Sequence, residues 1–281
     1  MEHMLSLYQE VCRECASLIT RRYSTSFSLG IRVFDKALRA PIYGIYGFVR
    51  FADEIVDTFH SKDKATLLAR FRNDTYLAIE EGISLNPVLQ AFQEVANEYN
   101  IGRDLIDPFL DSMAMDLEFS TYHDDLYETY IYGSAEVVGL MCLKVFLKGN
   151  EAEYERLRPM ACALGSAFQK INFLRDIKSD YEERGRVYFP GVDYNKFDQA
   201  TKLEIEADIK KDFDYAYEGI KQLPVTARLG VYLAYVYYTK LFQKIKRSPA
   251  RQVAQERIRV NDGRKVYLLA TSAVRARFGM L

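Results

Sequence analysis

The sequence predicts an all-α fold in which a single domain spans residues 1–281. Apolar residues recur at helical spacing along most of the chain and strand signals are scarce, which is typical of packed helices. The chain has no linker rich in Ser, Gly or Pro, no low-complexity tract and no repeat of fixed period. Its seven prolines are expected at or near the breaks between helix-like runs, which gives roughly ten helices of ordinary length.

Four runs define the predicted elements in chain order. Residues 41–59, PIYGIYGFVRFADEIVDTF, are apolar on most faces, as expected for a helix at the centre of a bundle. Residues 63–82 alternate charged with apolar positions and predict an outer, amphipathic helix. Residues 136–147, EVVGLMCLKVFL, and 229–247, LGVYLAYVYYTKLFQKIKR, are again apolar on most faces. The predicted bundle therefore has several buried helices at its centre.

Composition and charge exclude several functional classes. The formal net charge is −1, so electrostatic capture of nucleic acid or of an anionic membrane is not expected. The chain has no Gly-x-Gly-x-x-Gly and no P-loop, so it has no signal for a dinucleotide or ATP. Cys12-x-x-Cys15 lacks the second half that a zinc or redox site needs, and its spacing is better explained by helix packing.

The sequence also predicts a cytoplasmic location. Acidic residues near the start of the chain stand where a secretory signal would carry basic residues before an apolar run. No apolar stretch approaches the roughly 20 residues that a membrane-spanning helix needs. The four cysteines do not form a disulfide framework in a chain of this length, in agreement with a reducing compartment.

Two of the predicted helices carry polar stripes on otherwise apolar surfaces. At about 100° per residue, Arg50, Asp53 and Asp57 fall within an arc of roughly 60°. In the stretch NFLRDIKSDYEERGRVYFP and just before it, four polar residues share an arc of roughly 80° by the same count, namely Gln169, Asn172, Asp176 and Asp180. A single Asp-x-x-x-Asp on a helix is usually a solvated face. Two such pairs on apolar helices instead indicate helices that face each other across a cavity.

The stripes favour a divalent cation over a structural role. Paired carboxylates repel each other on a helix, and burial without a partner would destabilise the fold far more. Hard oxygen ligands in small number suit Mg²⁺, with Mn²⁺ as the alternative, and leave positions open for a phosphate. Arg50 and Arg175 are placed to bind that phosphate. Spacing alone therefore predicts a metal-diphosphate site in a helical bundle.

Seven segments resemble the squalene/phytoene synthase family, most closely its bacterial phytoene synthase branch. They run in family order from about residue 20 to 270, and they are YSTSFSLG, PIYGIYGFVRFADEIVD, SMAMDLEF, YIYGSAEVVGLM, GSAFQKINFLRDIKSDYEERGRVYFP, YVYYTKLF and RIRVNDGRKVYLL. The set of RxxDExxD, QxxNxLRDxxxD and RxYFP is highly specific. The resemblance implies an isoprenoid-synthase-type helical bundle with a central active-site cavity.

The reaction that the resemblance implies is a head-to-head prenyl transfer. Two geranylgeranyl diphosphates would join through their first carbons, give a cyclopropyl (prephytoene) diphosphate and then phytoene, with release of two diphosphates. This would be the first step of carotenoid biosynthesis. No NADPH is expected, which agrees with the missing nucleotide motif.

The resemblance also assigns roles to individual residues. The implied metal ligands are Asp53, Asp57, Asn172, Asp176 and Asp180, of which the four aspartates are also the implied catalytic residues together with Tyr132, a tyrosine near the reacting carbons. The implied substrate-binding residues are Tyr23, Ser24, Thr25, Ser26, Tyr46, Arg50, Gln169, Arg175, Tyr238 and Arg257. The chain departs from the usual pattern at Tyr23, at Glu54 and at Glu136, and none of these removes an implied ligand.

Three alternatives remain at this level. The first is a C30 enzyme that condenses farnesyl diphosphate to dehydrosqualene or squalene, with tunnel depth set by side chains such as Ile31 and Tyr43. The second is a non-catalytic assembly factor of the same fold, which retention of all four aspartates disfavours. The third is a terpene cyclase, which the second motif disfavours.

The implied partner is a prenyl diphosphate, with no nucleic acid. Loose association with the inner face of the membrane for product release, and contact with downstream carotenoid enzymes, are further expectations without a clear sequence signal.

Overall fold

Helices form nearly the whole of the described chain. The computed structural model describes residues 2–118 and 121–258, without the side chains of Glu2 and Ser26. The α-helices are α1 Glu2–Tyr23, α2 Thr25–Ile31, α3 Lys36–Asp57, α4 Lys64–Glu81, α5 Pro87–Glu98, α6 Arg103–Glu118, α7 Asp124–Ile131, α8 Val137–Leu147, α9 Glu151–Arg184, α10 Gln199–Gln222, α11 Val225–Arg247 and α12 Ala250–Gln255. A π-helical segment, Tyr132–Glu136, joins α7 to α8, and a 3₁₀ turn, Tyr194–Lys196, precedes α10.

The predicted central runs become helices with the expected burial. Residues 41–59 lie mostly in α3, which buries ten residues, whereas the amphipathic run at 63–82 forms α4 and buries only four. Local signals set the helix ends. Asp63 accepts a hydrogen bond from the backbone of Thr66 at the start of α4, and Gly82 ends the helix in the left-handed conformation.

The prolines do not all mark helix breaks, and the expectation that they would was wrong for three of seven. Pro41, Pro108 and Pro159 lie inside α3, α6 and α9. A proline within a helix removes a backbone hydrogen bond and destabilises it by about 3 kcal/mol. Packing outweighs that effect for α3, since Pro41 and nine further residues of this helix are buried. Because Pro159 does not end its helix, α9 extends over 34 residues.

Two apolar clusters hold the helices together. The first takes many of its residues from α3, α5, α6 and α8, and the second from α7, α9, α10 and α11. α3 and α5 approach closely at Gly44, where an added Cβ would lie 2.9 Å from the Ala91 carbonyl oxygen. Helix α3 packs in the first cluster, whereas α9 contributes to both, with Tyr154 and Leu157 in the first and its later turns in the second.

One continuous helical run, Asp124–Leu147, is long and apolar enough by length and composition to cross a membrane. It comprises α7, the π-helical segment and α8. The expectation that no stretch of the chain is long and apolar enough was therefore wrong. Its most apolar window is 61% buried inside the bundle. Core packing therefore accounts for its apolarity.

Candidate active site

An elongated cavity of about 750 Å³ lies within the bundle. Charged side chains from the C-terminal half of α3 and from α9 line one part, and apolar side chains such as Phe34, Phe146 and Leu157 line another. Asp53 lies 18 residues beyond Asp35 on α3, which corresponds to about 27 Å of helix between the acidic part and the neighbourhood of Phe34. The cavity is therefore long, polar at one end and apolar along its depth.

Most of the predicted site residues line this cavity. They are Tyr23, Ser24, Tyr46, Arg50, Asp53, Asp57, Gln169, Asn172, Arg175, Asp176, Asp180, Tyr238 and Arg257. The two polar stripes thus face one space although more than 100 residues separate them in the sequence.

Arg184 joins the two stripes directly. Its Nη1 donates a 2.7 Å hydrogen bond to Asp180 Oδ1, and its Nη2 lies 3.5 Å from Asp57 Oδ2. Asp57 belongs to α3 and Asp180 to α9, so one guanidinium spans the gap between the helices. The side-chain positions therefore support the expectation that the stripes oppose each other.

Arg50, the arginine of the first stripe, has a buried N–H group without a hydrogen-bond acceptor among the described residues. Its Nη1 is 3.8 Å from Asp53 Oδ2, it forms a short ion pair with Glu54, and its Cζ lies 4.4 Å from the centroid of the Tyr23 ring. Arg50 Nε is buried and has no hydrogen-bond partner among the described residues. A buried donor of this kind is unfavourable unless an acceptor arrives. A phosphate oxygen is an acceptor that a guanidinium binds well.

The second stripe has two arginines of its own. Arg175 Nε donates to Asp176 Oδ1 at 3.0 Å, and Arg257 Nε lies 2.8 Å from the same oxygen. Arg257 follows α12, so this contact brings the end of the described chain to the acidic part of the cavity. Tyr238, on α11, donates to Asn172 Oδ1 at 3.3 Å.

Burial raises the pKa of two of the predicted ligands. The pKa of Asp53 rises to about 7, mainly because the carboxylate is removed from bulk water, while Arg50 opposes the shift. Its side chain keeps 32% exposure, but because Asp53 lines the cavity we attribute this exposure to the cavity space. Burial likewise raises the pKa of Asp180 to about 6 against the attraction of Arg184. Burial disfavours the ionised form of these carboxylates, and a bound cation would offset that effect.

The donor set fits a hard divalent cation. It comprises four carboxylates and the Asn172 amide oxygen, and oxygen ligands are those that Mg²⁺ prefers. Within residues 2–118 and 121–258, no three His, Cys, Asp or Glu side chains converge to hold a metal by themselves. A cation here would need further oxygens from water or a substrate phosphate, which is usual for Mg²⁺.

Several predicted residues do not join the others. Tyr132 is not among the cavity-lining residues, and its side chain interacts with Arg158 instead. Its position gives no support to a role near the reacting carbons, whereas Tyr130, two residues earlier, lines the cavity. Thr25 is exposed and outside the lining, and the side chain of Ser26 lies outside the described residues. Of the two predicted depth-setting residues, Ile31 lines the cavity and Tyr43 does not.

Sequence reasoning missed a second group of site residues. Arg184, Arg186, Tyr188 and Asp116 all line the cavity, and Arg186 Nη1 lies 3.4 Å from both Asp57 Oδ1 and Asp116 Oδ1. The available signals were the buried context of the aspartate in SMAMDLEF and the arginine in the RxYFP motif. Their meeting could not be deduced from spacing because 70 residues separate Asp116 from Arg186.

Fold and site together define an all-α protein whose central cavity sets two opposed acidic stripes among arginines. The model of the squalene/phytoene synthase family matches residues 20–264, and the chain belongs to this family. It is 29% identical to the phytoene synthase of Rhodobacter capsulatus, over 95% of this chain and 81% of the relative. It is also 29% identical to the 15-cis-phytoene synthase of Synechococcus elongatus, over 97% of this chain and 95% of the relative.

Solved structures of other proteins have the same helical fold as this chain. A dehydrosqualene synthase in complex with a ligand superposes with a TM-score of 0.82 at 21% identity and covers 97% of this chain and 98% of its own. The squalene synthase HpnC from Alicyclobacillus acidocaldarius gives a TM-score of 0.74 at 20% identity, over 89% of this chain and 95% of its own. These matches confirm the predicted helical fold, and the curated relatives confirm the predicted family and enzyme class.

Proposed function

We propose that this chain is a phytoene synthase that joins two molecules of geranylgeranyl diphosphate head to head. Relatives named phytoene synthase that match nearly its whole length support this assignment. The structural observation that carries it is the meeting of Asp57 and Asp180 at Arg184, beside a long apolar cavity. Such a cavity suits a substrate with a charged head and a long hydrocarbon tail.

The acidic end of the cavity would bind the diphosphates. Mg²⁺, or Mn²⁺ as the alternative, would be held by Asp53, Asp57, Asn172, Asp176 and Asp180 and would neutralise the departing diphosphate. Arg50 offers its unused buried Nε to a phosphate oxygen, and Arg175 and Arg257 lie beside Asp176 on the other stripe. The diphosphates add negative charge to the site, and the cation together with these arginines would offset it.

The remainder of the cavity would protect the reactive carbons. A carbocation forms when the diphosphate leaves, and water would capture it, so burial of the site serves the reaction. Aromatic faces attract positive charge, and Phe168, Phe173 and Tyr130 line this space. The second substrate's double bond would attack the cation, and loss of one proton would close the ring to give the cyclopropyl diphosphate. A second ionisation, rearrangement and loss of one proton would give the hydrocarbon, with no reductant consumed.

Release of a hydrocarbon favours contact with a lipid surface, and the outer face of α1 supports this part of the proposal. Met4, Leu7, Val11 and Leu18 lie at helical spacing on one face, and each is between 46% and 68% exposed. We include loose association with the inner face of a membrane, in the cytoplasm, and transfer to downstream enzymes in the proposed function. Sedimentation with neutral and anionic lipid vesicles would test it, and unchanged recovery in the supernatant would contradict it.

The proposed activity is tested by incubation of the purified protein with Mg²⁺ and either geranylgeranyl or farnesyl diphosphate, without NADPH. We expect a C40 hydrocarbon, identified by mass after extraction. A C30 product from farnesyl diphosphate alone would establish the shorter-chain alternative. Absence of product from both substrates, in folded protein, would contradict the proposed function and favour the non-catalytic alternative.

A further inference from the structure

Asp116 lies in a polar cluster that no predicted role includes. Its side chain is 5% exposed and lines the cavity near the end of α6. Three tyrosine hydroxyls donate to its carboxylate, Tyr122 at 3.1 Å, Tyr130 at 2.9 Å and Tyr188 at 3.2 Å. Arg186 adds a contact of 3.4 Å to the carboxylate and a 2.8 Å hydrogen bond to the backbone oxygen of Asp116.

The cluster fixes the direction of the tyrosine protons. A tyrosine hydroxyl has one proton to donate, whereas an ionised carboxylate can only accept. Each of the three hydroxyls therefore commits its proton to Asp116. Tyr130 lines the cavity, so its oxygen is left with lone pairs and no proton for a cavity occupant. An oxygen held in this way can accept from, or stabilise, a positively charged group, and it cannot donate to one.

The same carboxylate also fixes Arg186. The guanidinium Nη1 lies 3.4 Å from both Asp116 Oδ1 and Asp57 Oδ1, while its Nη2 donates to the backbone oxygen of Asp116. Stacking supports the arrangement, because the Tyr188 ring lies parallel to Phe173 with centroids 4.1 Å apart. The chain segments are tied as well, since the backbone of Tyr122 donates to the Val187 carbonyl at 3.3 Å. Asp116 thus connects a predicted metal ligand on α3 with the tyrosine that faces the cavity.

We propose that Asp116 is a positioning residue of the reaction, which turns the Tyr130 hydroxyl proton away from the cavity and holds Arg186 against Asp57. This inference rests on the proposed function and adds to it a residue that acts through two others. Charge is essential to the role, because a neutral amide of the same shape would present donors to the tyrosines and to Arg186. The orientation of Tyr130 and the place of Arg186 would then both be lost.

The test compares Asp116→Asn with a matched change on the same helix. We expect kcat for hydrocarbon formation to fall about 10- to 100-fold, the usual range for residues that orient ligating or reacting groups. KM should stay within about threefold, since Asp116 acts on Tyr130 and Arg186 and not on binding of the substrate tail. The control is Asp107→Asn, because Asp107 also accepts from a tyrosine, Tyr76, and pairs with Arg72, but does not line the cavity. Its kcat should be unchanged.

A double-mutant cycle separates positioning from general weakening of the fold. Tyr130→Phe and Asp116→Asn should each lower kcat, and the double variant should be no slower than the slower single variant, because both changes remove one arrangement. Independent, multiplying losses would overturn the inference. So would full kcat in folded Asp116→Asn protein.

Folding defects and a wrong assignment of function have separate signatures. If Asp116→Asn does not fold, Tyr130→Phe removes the hydroxyl that Asp116 is proposed to orient, and unchanged kcat in that folded variant would overturn the inference. If the unsubstituted protein forms no hydrocarbon, the proposed function itself fails. If the unsubstituted protein forms the hydrocarbon and Asp116→Asn forms it with the same kcat, only the positioning role fails.

Discussion

At the scale of single residues, the site joins acidic side chains that are near one another in the sequence with partners that are distant in it. Helical periodicity placed Asp53 and Asp57 together, and Asn172, Asp176 and Asp180 together, because residues on one helix keep a fixed angular relation. The structure brings both groups to one cavity. It also supplies what periodicity could not, namely partners from other parts of the chain, such as Asp116 on α6 and Arg186 after the end of α9. Tyr132 lies outside the cavity lining and Tyr130 within it, since two residues along a helix change the direction of a side chain by about 160°.

The aspartates of the second stripe are expected to be needed for activity. We predict that Asp176→Asn lowers Mg²⁺-dependent turnover by about 100-fold or more, because it removes a proposed ligand of the cation that would neutralise the departing diphosphate. Turnover is measured by extraction of the hydrocarbon product over a range of Mg²⁺ concentrations. Asp214→Asn is the control, since Asp214 is also paired on a helix but is 63% exposed on α10. Equal turnover in the two folded variants would refute the role of Asp176.

The raised pKa of Asp53 predicts a pH-dependent stability difference. Its pKa of about 7 lies above the ordinary value of 3.8, so the folded protein holds this proton more tightly than the unfolded chain. That contribution is complete below about pH 4 and is lost as the pH rises through about 7. In metal-free protein, Asp53→Asn should therefore gain stability relative to the unsubstituted protein between pH 5 and pH 8, by about 1 kcal/mol once solvent screening is considered.

The free energy of unfolding of both proteins is measured by urea denaturation in the presence of a chelator, at pH 5 and at pH 8. Asp74→Asn provides the comparison, because Asp74 is an exposed residue of α4. A stability difference for Asp53→Asn that stays constant between the two pH values would show that burial does not hold a proton on Asp53.

At the scale of elements, the π-helical segment between α7 and α8 could not be predicted from the sequence. Its residues form part of a helical pattern that runs from α7 to α8, and one additional residue in a turn leaves little trace in apolar spacing. The sequence likewise could not predict that Pro41, Pro108 and Pro159 lie inside helices. Helix propensity describes an isolated helix, whereas tertiary packing decides these three cases. Helix identity was predictable for the strongly apolar and amphipathic runs, where the period extends over several turns.

Close packing of the π-helical segment on α6 gives a test at this scale. A Cβ at Gly133 would lie 2.2 Å from the Pro108 carbonyl oxygen and 2.8 Å from Ser112 Cβ. Gly133→Ala should therefore lower the free energy of unfolding by about 1–3 kcal/mol, since backbone must move. At Gly139 the nearest atom would be 3.4 Å away, and Gly139→Ala should be neutral or slightly stabilising. Equal unfolding midpoints would show that the two segments can separate at little cost.

The whole molecule joins its two acidic stripes through arginines. The part of α9 that carries the second stripe packs in a different apolar cluster from α3, so the ion pairs of Arg184 with Asp57 and Asp180 form part of the contact between the two stripes. The fold class could be predicted at this scale, since helical signals were uniform. The boundary of one domain at residues 1–281 stays a prediction, and so does the identity of the metal.

Ligand linkage should make the joint nature of the site visible. We expect Mg²⁺ together with inorganic diphosphate to raise the melting temperature, and each alone to do so much less, because neither completes the coordination by itself. Saturation at 100 times the dissociation constant corresponds to about 2.7 kcal/mol. Differential scanning calorimetry measures the shift. Asp176→Asn should reduce it, and an identical shift in that variant would place the ions elsewhere on the protein.

The tyrosines around Asp116 have an optical consequence. The chain contains 21 tyrosines and no tryptophan, so its ultraviolet emission comes from phenol rings alone. Tyr122, Tyr130 and Tyr188 donate to a carboxylate, an interaction that quenches phenol emission, and two of them line the cavity. Any occupant that loosens this cluster would brighten the protein without an added dye. The molecule therefore contains a built-in fluorophore at the point where its substrate is expected to react.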